Sequence, residues 1–324
     1  MLAESNNYVP WAAARVNLDF EVIHLNKNGA HYGKIHRKYG HLIEAGVDGI
    51  FTVGTAGEFW ALSIEEKKRI YQGTVAAAKG RVPVYLGTGA NTTREAVRLA
   101  ELAQEAGADC LSVLTPNFIN PSPEELFRPY RAIARAVDLP VLLYTNPDRT
   151  GVGISADLAV RLAEEVDNIA GIKDSSGDLG LTAEYLRRTP DEFHVLMGRD
   201  TLIYAGLAQG AAGAIAASAN IAPELSVGIF ENFVWGDMNK ALDFQQRLAP
   251  LRLAFGLGTF PAMLKAGAEL LGLPAGPPRA PVGRLSAAQR QQLREVLVQM
   301  GKIEAGRREP VVEYRETSGA LQTV

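Results

Sequence analysis

Short apolar runs, each ended by a turn or polar residue, recur along the chain at a regular beat, at 49–54, 82–88, 110–115, 140–146, 169–174, 193–198 and 211–217. Between them the apolar residues fall at helical spacing. Strands this apolar belong in a parallel sheet buried on both faces, with each crossover made by a helix. Several helices announce their starts: Ser63 with Glu66, Thr92 with Glu95, and Ser122 with Glu125 have capping-box spacing, and Pro123 sits at a first helical position. Seven strands can be read this way. Closing a barrel takes an eighth, which must come from residues 8–25, where 8–17 and 20–25 compete for it.

After Asn220 the beat stops. Only helical stretches follow, at about 223–235, 238–254, 259–271 and 286–300, the last opened by Ser286 with Gln289. The expected architecture is a (β/α)8 TIM barrel over residues 1–222, a C-terminal helical extension over 223–300, and a charged tail, 301–324, that is an arm or a disordered segment. The competing architecture, an open doubly wound sheet, calls for a glycine-rich phosphate loop after the first strand, and none is present.

Bulk properties exclude several classes. The 324 residues carry 33 basic and 36 acidic side chains, a net charge of −3, so nothing draws the chain to nucleic acid or an anionic membrane. The single Cys110 rules out an intrachain disulfide and fits a reducing compartment. Residues 1–7 lack the basic start and apolar core of a signal peptide, and no apolar run reaches the ~18 residues of a membrane span. A cytoplasmic location is the expectation.

Barrel active sites lie at the C-terminal ends of the strands. Those ends read Thr55 and Glu58 in GTAGE (54–58), Tyr144, Lys173, and the glycine-rich run at 210–216. A strand, helix and return strand take about 30 residues, the spacing of Tyr144 and Lys173, so both fall at one level on neighbouring strands. Alternation puts Lys173 and Gly171 on the inner face, with Gly171 leaving room for a substrate, and turns Asp174 toward the helices. A lysine sheltered from water spends more time as the free amine that attacks carbonyls. A phenol beside it can shuttle protons. Backbone N–H groups at Thr55, Ala56 and Ile215 can hold a carboxylate without adding charge. Glu58 reads as a structural carboxylate and Gly87-Thr88-Gly89 as a strand-end turn. His31, His36 and His41, spaced by five, line no helix face, so no metal site is expected.

These motifs, in this order, resemble the dihydrodipicolinate synthase / N-acetylneuraminate lyase family of class I pyruvate-dependent aldolases. The likeness rests on EAGVDGI (44–50), GTAGE (54–58), YTNPDRTG (144–151), GIKDS (171–175) and GAAGAI (210–215), and spans about 40–300. It implies a barrel with a helical extension, a homo-oligomer (tetramer or dimer), and no cofactor beyond a covalent lysine imine with the substrate. It makes Lys173 the Schiff-base lysine and Tyr144 the proton donor and acceptor. It places the pyruvate carboxylate at Thr55, Ala56 and Ile215, and the carboxylate of an aldehyde substrate at Arg149. There are two departures. Ala56 stands where the family carries a hydroxyl, and Phe118 stands where the synthases carry a tyrosine that reaches a neighbouring subunit. Ala56 removes one hydroxyl contact to the carboxylate but keeps the backbone donor; Phe118 argues against an efficient dihydrodipicolinate synthase, whereas Arg149 argues for an acidic second substrate. The expected activity is therefore a Schiff-base lyase acting on pyruvate or another 2-keto acid. Its alternatives are 4-hydroxy-tetrahydrodipicolinate synthase, a non-catalytic keto-acid-binding paralogue, and, last, a metal-dependent barrel enzyme.

Overall fold

The computed structural model describes residues 16–20, 39–273, 275–308 and 310. Eight parallel strands close into a barrel in sequence order: β1 (Val16–Phe20), β2 (Gly49–Thr52), β3 (Val84–Gly87), β4 (Cys110–Leu114), β5 (Val141–Thr145), β6 (Ile169–Asp174), β7 (His194–Met197) and β8 (Gly213–Ile215). The TIM-barrel expectation holds, and the open doubly wound sheet is excluded. Closure comes from β1, which pairs with β2 and with β8. Neither segment read as a candidate is this strand: it spans 16–20, overlapping the end of one and the start of the other. Asn17 and Asp19 interrupt its apolar run, which is why it lacked the signal of the other strands.

The helices lie where periodicity placed them, and the helical extension follows the barrel as Pro223–Val234, Met238–Leu253, Ala262–Leu270 and Ala287–Gln299. The Ser63, Ser122 and Ser286 boxes form in full. The Thr92 box forms only in half. Its hydroxyl accepts from the Glu95 N–H, while the Glu95 carboxylate lies 3.8 Å from Lys67 Nζ.

Inside the barrel Phe51, Tyr85, Cys110, Leu142, Leu196 and Ile215 pack together, one from each of β2, β3, β4, β5, β7 and β8. This plug fills the interior, so the space for a ligand lies above it, at the C-terminal ends. Outward-facing residues of the same strands, such as Leu111 and Leu143, join the helix-packed core. Burial inside the barrel pushes the Cys110 thiol pKa up, away from reactivity.

Ion pairs bolt the extension to the barrel: Arg279 meets Glu66 at 2.7 Å, and Lys265 meets Glu58. Glu58, fully buried, accepts from Lys265 Nζ at 2.5 Å and from the Arg279 backbone N–H at 2.8 Å, and Lys265 also donates to the Pro277 carbonyl at 3.0 Å. Glu58 is thus structural, as expected, with its partners on the extension. The first residues of the tail are packed: Ile303 is buried and Lys302 meets Glu224 at 2.7 Å. Residues 311–324, like His31 and His36, lie outside the described residues.

Candidate active site

Register sets the centre of the site. Tyr144 on β5 lies opposite Lys173 on β6. Lys173 is only 2% exposed, and its Nζ stands 4.2 Å from the Tyr144 ring centroid and 4.5 Å from that of Phe51. The two rings meet edge to face. The Tyr144 hydroxyl shares a hydrogen bond with Thr55 Oγ1 at 3.1 Å and accepts from Asn146 Nδ2 at 3.2 Å. An amine, a phenol and a threonine hydroxyl from three strand ends are therefore assembled at one place.

Thr55 is presented by an unusual turn. Val53 and Glu58 have positive φ, 59° and 50°, a region that costs a β-branched residue energy. Two glycines make the turn possible. A Cβ on Gly57 would stand 2.9 Å from the Gly54 backbone, and one on Gly87 would stand 2.2 Å from the Val53 carbonyl oxygen. Gly87, read as a strand-end turn, is where β3 lets the strained end of β2 come close.

Asp174 turns away from the amine. Its carboxylate accepts from the Ser176 N–H at 2.8 Å and from Thr182 Oγ1 at 2.7 Å, in the helix layer where alternation put it.

Above the amine opens a cavity of about 300 Å³, lined by Thr55, Tyr144, Arg149, Lys173 and Ile215 among the expected residues. Ala56 and Gly171 do not line it. Ala56 is buried in the apolar core of the extension side. The expectation for Gly171 is corrected: a Cβ there would lie 2.2 Å from the His194 backbone oxygen, so the missing side chain admits the β7 backbone rather than a ligand. Phe118 is also absent from the lining. It is 97% exposed, with φ 69°. Sequence reasoning missed Asn146, although it stands two residues after Tyr144. It also missed Phe51, hidden in an ordinary strand, and the outer wall, where Arg199, Arg252, Phe255 and Phe260 converge. No local signal marks the last three, which come from the extension.

Arg199 is tied down, donating to the Ser175 carbonyl at 2.9 Å and to the Asp148 carboxylate. A larger cavity, about 540 Å³, lies between helices Thr93–Ala106 and Pro123–Arg135, without the lysine or tyrosine. Among the described residues no group of three His, Cys, Asp or Glu could hold a metal, and no helix is long and apolar enough to cross a membrane.

The family model described as the dihydrodipicolinate synthetase family matches residues 26–300. A 4-hydroxy-tetrahydrodipicolinate synthase of Methanopyrus kandleri is 39% identical over 82% of this chain and 88% of its own length. One of Bacillus velezensis is 34% identical over 85% and 95%. Among solved structures, a dihydrodipicolinate synthase aligns with TM-score 0.85 and 32% identity over 90% of this chain and all of its own. YagE, a prophage protein of that family from E. coli K12 in complex with pyruvate, aligns with TM-score 0.86 and 32% identity over 90% and 99%. With sequence, fold and strand-end motifs in agreement, the chain belongs to the dihydrodipicolinate synthetase family.

Proposed function

We propose that the protein is a Schiff-base-forming lyase that binds pyruvate as an imine on Lys173 and joins it to, or releases it from, an acidic aldehyde. The observation that carries this is the Lys173 amine, buried at the cavity floor beside a phenol that is itself hydrogen-bonded to Thr55. The amine adds to the ketone of pyruvate to give a carbinolamine, which loses water to form the imine. Loss of a methyl proton then gives an enamine, whose carbon attacks the aldehyde; hydrolysis returns the amine. Tyr144 carries the protons, relayed through Thr55. The backbone at Thr55, Ala56 and Ile215 is assigned the pyruvate carboxylate, and Arg149 the carboxylate of the aldehyde. No cofactor is needed beyond the covalent imine.

The specific form favoured by the named relatives and by Arg149 is 4-hydroxy-tetrahydrodipicolinate synthase, with aspartate semialdehyde as acceptor. Ala56 and Phe118 support a second reading, a keto-acid-binding paralogue without turnover. The same family likeness supports a cytoplasmic homo-oligomer, either tetramer or dimer.

Borohydride reduction in the presence of pyruvate, followed by mass spectrometry, tests the imine. The expected product is pyruvate-derived mass on Lys173, absent in a folded Lys173→Ala variant. An unmodified Lys173 in folded protein would end this reading. Turnover of pyruvate with aspartate semialdehyde separates the synthase from the silent paralogue.

A further inference from the structure

The outer wall of the cavity is built by the extension. The Phe255 and Phe260 rings lie 5.7 Å apart, centroid to centroid, at 44°. Each carries a guanidinium: Arg252 stands 4.8 Å from the Phe255 centroid, and Arg149 stands 4.8 Å from that of Phe260. Stacking on a ring fixes a guanidinium plane and leaves its N–H edge for an anion. Burial pushes the Arg149 pKa below its ordinary range, and the nearby charges of Arg252 and Arg199 push the same way. All three guanidiniums line the cavity.

Their commitments differ. Arg199 spends its donors on Ser175, Ser176 and Asp148. Arg252 faces Asp200 only through Nε, at 3.6 Å, too long for a hydrogen bond. Asp200 is itself anchored by the Ser218 N–H at 2.7 Å. Neutralising Asp200 alone leaves unexplained why the Arg252 guanidinium sits over a ring at the cavity wall, beside a second arginine over a ring of its own.

We propose that Arg252 is a specificity-determining residue, forming with Arg149 a two-guanidinium clamp on the Phe255–Phe260 pair that grips the carboxylate of the aldehyde substrate. The clamp rests on the reading of Lys173 as the imine lysine and extends it to the second substrate. A carboxylate has lone pairs enough for two guanidinium edges. One arginine comes from the barrel and the other from the extension, so the acceptor is selected where the two parts meet.

The test uses the full chain as wild type, Arg252→Gln and Arg252→Lys. Gln can still donate a hydrogen bond toward Asp200 but carries no charge. With succinic semialdehyde and with aspartate semialdehyde, Arg252→Gln is expected to lower kcat/KM by about ten- to a hundredfold, mostly through KM. Arg252→Lys should recover part of the loss, while the rate of borohydride trapping with pyruvate stays near wild type. Succinate, an unreactive acidic analogue, should raise the Tm of wild type and not of Arg252→Gln. An unchanged kcat/KM, a parallel fall in trapping, or an equal succinate shift in both proteins would overturn the clamp. Wild type that binds succinate yet traps no pyruvate would sink the imine reading and leave the clamp standing.

Discussion

Tyr144 shows how one residue's neighbours set its task. Its hydroxyl is held from two sides, by Asn146 donating to it and by Thr55, while its ring faces the Lys173 amine. A phenol so placed can move a proton only along that short path, and removing its oxygen removes the relay without emptying the space. Tyr144→Phe is expected to lower kcat by about 10²–10⁴-fold while leaving Tm close to wild type. Stopped-flow turnover beside a thermal melt checks this, and near-normal turnover would assign the proton to another group. Thr55 was legible as a strand-end hydroxyl. Its hydrogen bond to Tyr144 was not, because the two residues are 89 positions apart.

Elements place these side chains only because backbones approach closely at chosen points. β2 is followed by a left-handed Val53 whose carbonyl presses on β3 where Gly87 stands. No rotamer change relieves a Cβ placed 2.2 Å from a backbone oxygen, so the strands must part. Gly87→Ala is expected to cost about 1–3 kcal/mol, read as a lower urea midpoint, and to slow imine trapping because the Thr55 turn moves with β2. A variant with normal stability and trapping would show that the turn is not held from β3. Gly171 has the same function between β6 and β7. Its glycine was visible in the sequence, but open space and a neighbouring backbone look alike there.

At the scale of the molecule, the barrel and its extension are joined at the turn that also carries Thr55. The Glu58–Lys265 pair is buried on both sides, with 0% and 4% of the side chains exposed. Removing one partner strands a charge in the interior. Lys265→Met is therefore expected to cost about 3–5 kcal/mol, and Glu58→Gln/Lys265→Met much less; urea denaturation of both variants checks this. Equal losses would mean that packing, rather than charge, holds the joint. The joint also brings Arg252, Phe255 and Phe260 over the cavity, so loosening it should raise KM for the acceptor before it affects the imine.

Local chemistry alone determined the seven apolar strands, the helix starts, the end of the barrel pattern near Asn220, and the lysine and tyrosine one strand–helix–strand unit apart. Each depends on residues within a few turns of one another, where periodicity and capping act. Only the closed tertiary structure decided where the eighth strand runs, because Val16–Phe20 has a poor pattern of its own and is defined by partners on both sides. It also decided what Gly87 and Gly171 are for, and which carboxylate meets Lys265. The arginines that crown the cavity were settled the same way. Those outcomes depend on contacts between residues distant in the chain, and the sequence carries no spacing that encodes them.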